Sequence, residues 1–102
     1  MAWFGKTETF TAQTAALSIE QRRPFLEAHR HWLAQHIGLG RSIRSGFLVD
    51  DHRRPGGGGL LIFQASSYAE ALAWVRQDPM IVEGLVAWQL QEWIPVSGDD
   101  WP

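Results

Sequence analysis

The sequence predicts one α+β domain whose elements follow the order β-α-β-β-α-β. Two segments have helical periodicity, and each begins with a capping box. Runs rich in β-branched and aromatic residues precede, separate and follow these helices, as expected for strands. The chain of 102 residues is long enough for one hydrophobic core, and its hydrophobic fraction of 45% is typical of globular proteins. We therefore treat residues 1–102 as a single domain, with a core over residues 3–96 and a tail over 97–102.

The first strand is predicted at residues 3–11, which are rich in threonine and aromatic side chains. Its alternation is imperfect, because Lys6 and Glu8 lie between Phe4 and Phe10.

A loop is predicted at residues 12–17, followed by the longest helix of the chain. Ser18 and Gln21 form a capping box at its start, and Gly40 follows its end. Pro24 predicts either a kink or a later start, because proline removes a backbone hydrogen bond inside a helix.

The second half of the chain contains two strands, a second helix and a last strand. Asp78 ends the second helix, since the residue before Pro79 is disfavoured in the helical region. One further helical turn is predicted at 79–84. The strands are predicted at residues 41–49, 60–65 and 85–96, and the second helix is predicted at 67–78. A polar, glycine-rich connection at 50–58 joins the first two of these strands.

This order is the split βαβ arrangement of the ferredoxin-like class, with an antiparallel sheet. Such a unit covers one sheet face with its two helices and leaves the other face exposed. A second copy of the chain is the usual cover for so large a face, so we expect a homodimer.

His29 is the most informative side chain of the first helix. At about 100° per residue it lies in the middle of an apolar arc. Helix periodicity alone favours a core histidine that is hydrogen-bonded to a neighbour. The alternative is an acid–base residue, because imidazole titrates near neutral pH. The apolar members of the arc are Phe25, Leu26, Trp32, Leu33 and Ile37.

Asp78 followed by Pro79 also has two interpretations. Aspartate as N-cap with proline at the first helical position is a common helix start. An aspartate held at such a turn could also orient a histidine during acid–base catalysis.

Other site types have weak support. His29 and His36 are too far apart along the helix for a bidentate metal site, so no metal is expected. The run Pro55–Gly59 lacks the GK[ST] ending of a phosphate loop and is interpreted as a flexible hairpin tip. No cofactor is expected.

Composition limits the partners. The net charge of -2 gives no indication of nucleic acid or an anionic membrane as a partner. The chain has no cysteine, which excludes disulfides and thiolate chemistry, and it has no apolar run long enough to span a bilayer. The first residues lack the apolar core of a signal peptide, so we expect a cytoplasmic protein.

Three stretches of the sequence together resemble the YCII-related domain family: FLEAHRHWLAQHIGLGRSIRSG, GGLLIFQASSYAEALAWVRQDPMIVEGL and QLQEWIPV. The resemblance runs over about residues 3–96, and His29, Gly46, Asp78 and Pro79 lie at family positions. It implies a dimeric α+β barrel of two ferredoxin-like subunits, with a small cleft in each. It also implies that His29 and Asp78 are the suspected active-site pair. Phe47 and Met80 depart from the common family pattern and would reshape the cleft.

Two function classes follow from these observations. In the first, His29 and Asp78 perform acid–base chemistry of lyase, isomerase or hydrolase type on a small organic molecule. We assign substrate contacts there to Ser45, Gly46, Phe47 and Trp32. In the second, the chain is a non-catalytic dimer that binds a small ligand or acts as a scaffold. A haem-handling protein would need an axial ligand such as His29 or His36, and nothing in the sequence favours it.

Overall fold

A computed structural model describes residues 1–99, and the last residues of the predicted tail, 100–102, lie outside them. Within this range the α+β prediction and the antiparallel sheet are confirmed. The strands are β1 (Ala2–Phe10), β2 (Ile43–Val49), β3 (Pro55–Ala65) and β4 (Val86–Trp93), in the sheet order β2-β3-β1-β4. The helices are α1 (Ala12–Ala15), α2 (Ile19–Gly38), α3 (Tyr68–Val75) and α4 (Pro79–Val82).

The start of α2 is set by the predicted capping box. The Ser18 hydroxyl accepts a hydrogen bond from the Gln21 backbone N–H at 3.1 Å, and the Gln21 side chain accepts one from the Ser18 N–H at 2.9 Å. These bonds satisfy two of the backbone donors that a helix start leaves free. The helix therefore begins at Ile19 and contains Pro24, and the later start that we considered is wrong.

The loop predicted at residues 12–17 is instead partly helical. Thr11 caps the short helix α1, since its hydroxyl accepts a hydrogen bond from the Thr14 N–H at 3.2 Å. Threonine is a good N-cap, and this signal was missed because the segment has no apolar periodicity.

The glycine run Pro55–Gly59 is not a hairpin tip but the first part of β3. Gly58 and Gly59 pair with Thr9 and Glu8 of β1. The chain reverses before the run, where the Asp50 carboxylate accepts hydrogen bonds from the backbone of two following residues. Aspartate stabilises a turn in this way, which leaves the glycines free to enter the sheet.

The core lies between the helices and one sheet face. Phe4 and Phe63 stack with ring centroids 5.9 Å apart, and Trp32 of α2 stacks on Trp74 of α3 at 4.6 Å. Burying one such ring stabilises the fold by about 1.5–3 kcal/mol. Ile37 was predicted on the buried arc, but it lies in the last turn of α2, beyond the buried Leu33, and 53% of it is exposed.

No helix within residues 1–99 covers the other sheet face. A shallow cavity of about 390 Å³ lies on it, lined by Leu60, Ile62 and Trp93 among others. No helix within residues 1–99 has the length and apolar character needed to cross a bilayer.

The glycines of β3 give a stability prediction. Gly57 has φ of +76°, and a Cβ there would lie 2.9 Å from Cδ2 of Phe10. We expect Gly57→Ala to lower the free energy of unfolding by about 1–3 kcal/mol, through backbone strain and the displaced ring. Urea denaturation of the variant and the wild type measures this difference in the free energy of unfolding.

The matched control is Gly56→Ala, because a Cβ at Gly56 meets nothing within 4 Å. This variant should be as stable as the wild type or slightly more so, since alanine loses less backbone entropy on folding. Equal losses in both variants would contradict the steric explanation.

Candidate active site

The candidate site is built around the carboxylate of Asp78, which is fully buried. Oδ1 accepts a hydrogen bond from His29 Nδ1 at 2.8 Å and another from the Met80 backbone N–H at 2.9 Å. Oδ2 accepts one from Lys6 Nζ at 2.9 Å. Whether the predicted pair of His29 and Asp78 could meet was open from the sequence, and the two side chains are in contact.

The local sequence places Asp78 at this point. It is the N-cap of α4, with Pro79 as the first helical residue. Proline keeps Asp78 extended, and the carboxylate bonds the Met80 N–H as N-caps do. The capping and the site interpretations of Asp78 are therefore both consistent with one geometry.

The pKa of Asp78 is lowered from its ordinary value of 3.8. Burial is the largest single influence and acts to raise the pKa, because it disfavours the charged form. The hydrogen bonds and charges of His29 and Lys6 lower the pKa, and together they outweigh burial. Asp78 is thus a carboxylate at neutral pH and can only accept hydrogen bonds.

This fixes the tautomer of His29. A carboxylate partner requires the proton of the neutral imidazole on Nδ1, which leaves a lone pair on Nε2. Among residues 1–99 no group hydrogen-bonds Nε2, and this atom is not fully buried. The side chain keeps 16% exposure. The partly exposed imidazole of His29 therefore keeps one ring nitrogen without a hydrogen-bond partner among residues 1–99.

Lys6 and Glu8 belong to the same cluster and were missed from the sequence. Lys6 is fully buried, and its ammonium also pairs with Glu8 Oε1 at 3.1 Å. Both side chains share the helix-covered face of β1 with Phe4 and Phe10, since residues two apart in a strand point to the same side. The signal was available as charged residues inside an otherwise apolar alternation, which we interpreted as a flaw in the pattern.

Three of these residues could act as metal ligands. Ligand atoms of Glu8, His29 and Asp78 all lie within 4.8 Å of one another. The ammonium of Lys6 pairs with both carboxylates, at 2.9 and 3.1 Å. A metal ion would have to displace this buried cation, so the donor set fits an ammonium better than a metal.

The residues assigned to substrate contacts are only partly brought together. The ring of Trp32 lies next to His29, with centroids 6.4 Å apart. Ser45 and Phe47 pair with Leu61 and Gly59 of β3, which pair in turn with Lys6 and Glu8 of β1.

Ser45 and Phe47 therefore share the face of Lys6 but lie two strands away, about 10 Å. Gly46 lies between them in β2 and therefore belongs to the opposite, uncovered face of the sheet. Within residues 1–99 no hydrogen bond, ion pair or ring contact joins these three residues to His29 or Asp78.

The chain belongs to the YCII-related domain family, whose sequence profile matches residues 8–94. Its fold is similar to that of 5-chloro-2-hydroxyhydroquinone dehydrochlorinase (TftG) from Burkholderia phenoliruptrix AC1100, solved in complex with 2,5-dihydroxybenzoquinone. The two chains are 22% identical, with a TM-score of 0.67, over 90% of this chain and 93% of the other. No curated protein matches the sequence.

The lowered pKa of Asp78 predicts a pH-dependent stability. Its contribution is complete above the ordinary pKa of 3.8 and is lost as the pH falls through the lower value in the folded protein. At pH 7 we expect Asp78→Asn to cost about 3 kcal/mol, since it leaves Lys6 buried with one fewer charged partner. Below pH 4 the difference from the wild type should shrink.

Urea denaturation between pH 7 and pH 2.5 measures both effects. Asp51→Asn is the matched control, because the Asp51 side chain is 86% exposed. A difference between Asp78→Asn and the wild type that stays constant over this range would contradict the assignment of a buried, ionised carboxylate.

Proposed function

We propose that this chain is a small-molecule enzyme in which Nε2 of His29 takes and returns a proton. Asp78 orients the imidazole and stabilises the imidazolium that forms. The observation that supports this proposal most directly is the 2.8 Å hydrogen bond between His29 Nδ1 and a fully buried, ionised Asp78. This is the arrangement that directs a histidine base toward a substrate.

The alternative is a non-catalytic ligand-binding or scaffold module with the same fold. Such a module could bury His29 with both ring nitrogens satisfied inside the protein. The unpaired Nε2 and the partial exposure of the ring favour the enzyme instead. A carboxyl group with a shifted pKa, such as that of Asp78, is found at functional sites more often than elsewhere.

We further propose a reaction in which proton removal leads to elimination or isomerisation. The structural neighbour is named as a dehydrochlorinase, and loss of hydrogen chloride requires a base that accepts the proton. What we extend to this chain is the need for such a base, not the particular leaving group. None of the assigned steps uses a metal or an organic cofactor.

A homodimer is also part of the proposal. The uncovered sheet face carries Leu60 and Ile62, which are only half-buried, and Trp93, which is 42% exposed. Apolar surface of this extent on a sheet face is usually covered by a partner. A second copy would close the two sheets into a barrel and leave the His29 side of each subunit open.

Activity assays test the catalytic proposal. Two substrates suit the proposed base: 5-chloro-2-hydroxyhydroquinone, followed by chloride release, and 5-nitrobenzisoxazole, whose ring opens when a base removes its C–H proton. We expect His29→Gln to lower kcat/KM by about 10²–10⁴-fold, because it removes the proton acceptor.

His31→Gln is the matched control, since His31 is an exposed histidine on the same helix. Its activity should equal that of the wild type. A wild type inert toward both substrates, or a His29→Gln variant with full activity, would contradict the enzyme proposal.

Sedimentation tests the dimer. Ile62→Glu places a charge in the middle of the uncovered sheet face and should convert a dimer into a monomer, because an unpaired buried charge is strongly unfavourable. Leu39→Glu is the control, as Leu39 is 77% exposed just after α2. Two variants that sediment alike, whether as dimers or as monomers, would count against this interface.

A further inference from the structure

We propose that Glu8 is the substrate-facing carboxylate of the site and makes it selective for small neutral molecules that carry two hydroxyl donors. In this arrangement one hydroxyl donates to Glu8 while the other donates to Nε2 of His29. The inference rests on the proposed location of the site but requires no turnover.

The first support is the exposure of the cluster. Lys6 and Asp78 have no exposed side-chain surface, whereas His29 keeps 16% and Glu8 keeps 13%. A ligand that reaches the cluster therefore meets His29 and Glu8. Neither Lys6 nor Asp78 can contact it without a rearrangement of the buried pair.

The second support is the bonding of Glu8. Its Oε1 pairs with Lys6 Nζ at 3.1 Å, which holds the carboxylate in place. Its Oε2 makes no hydrogen bond within residues 1–99 and is not fully buried. Carboxylate oxygens have about four acceptor positions between them, so Glu8 retains capacity for a ligand donor. Nε2 of His29 offers the second acceptor.

The third support is the space that β3 provides. Gly59 pairs with Glu8, and a Cβ at Gly59 would lie 3.3 Å from both Cγ and Oε1 of Glu8. The absence of a side chain at Gly59 lets the Glu8 carboxylate lean over β3 while it remains paired with Lys6. The glycine run thus shapes the position of an acceptor.

The charge balance sets the ligand class. Glu8 and Asp78 carry two negative charges and Lys6 carries one positive charge, so these three side chains carry one net negative charge. A carboxylate or phosphate ligand would be repelled at the short distances involved, where solvent screens poorly. A neutral diol has no such penalty and supplies the donors that the two acceptors lack.

Equilibrium binding of two matched probes tests the proposal. Resorcinol is neutral and has two hydroxyl groups, and 3-hydroxybenzoate replaces one of them with a carboxylate. In NMR titrations at pH 7 we follow the backbone amides of Gly59 and Met80. Wild type should bind resorcinol at least about tenfold more tightly than 3-hydroxybenzoate.

Glu8→Gln should reduce this preference by about tenfold, mainly through tighter binding of 3-hydroxybenzoate. Gly59→Ala keeps the charge but displaces the carboxylate, and should weaken resorcinol binding by several-fold. Glu83→Gln is the control, because Glu83 is exposed at the end of α4. It should leave both affinities unchanged.

The proposal is overturned if Glu8→Gln keeps the wild-type preference. It is equally overturned if 3-hydroxybenzoate binds the wild type as tightly as resorcinol, or if neither probe shifts the site amides. Because these readouts are affinities, selective binding without His29-dependent turnover would remove the proposed catalysis while leaving the role of Glu8 intact.

Discussion

The organisation of this molecule depends on one buried carboxylate. Asp78 lies between α2, β1 and α4, and it receives a hydrogen bond from each of them, through His29, Lys6 and the Met80 backbone. An unpaired charge in a protein interior is strongly unfavourable, so each of these donors constrains where its element can lie. The network that fixes the positions of the helices over the sheet is therefore the same network that positions the imidazole.

A buried ammonium has a further consequence for chemistry. Lys6 pairs with both neighbouring carboxylates and, together with His29, lowers the pKa of Asp78. Asp78 in turn binds Nδ1 of His29, so Nε2 is the ring nitrogen that has no hydrogen-bond partner among residues 1–99. The cluster thus joins an imidazole, a carboxylate and an ammonium by hydrogen bonds, and the proposed acid–base role rests on this arrangement.

The two sheet faces differ in chemical character. On one face the glycines of β3 leave room for Phe10 and Glu8, and the helices supply His29 and Trp32. The opposite face is flat and apolar around Ile62 and carries no comparable cluster among the residues that the structure describes. Family membership identifies the fold, while charge, exposure and hydrogen bonding decide what a site on that fold can bind.

The sequence by itself determined the element order, the capping box of α2, the place of His29 on the inner side of that helix, and the Asp78–Pro79 helix start. These features follow from local rules: periodicity, capping and the backbone restriction before proline. Tertiary structure alone decided that Asp78 meets His29, 49 positions earlier in the chain. It also decided that Asp78 accepts a hydrogen bond from Lys6, 72 positions earlier. Strand pairing and helix packing set those distances, and no local pattern encodes them. The same pairing placed the glycines of residues 56–59 in β3, where their missing side chains make room for groups on a neighbouring strand.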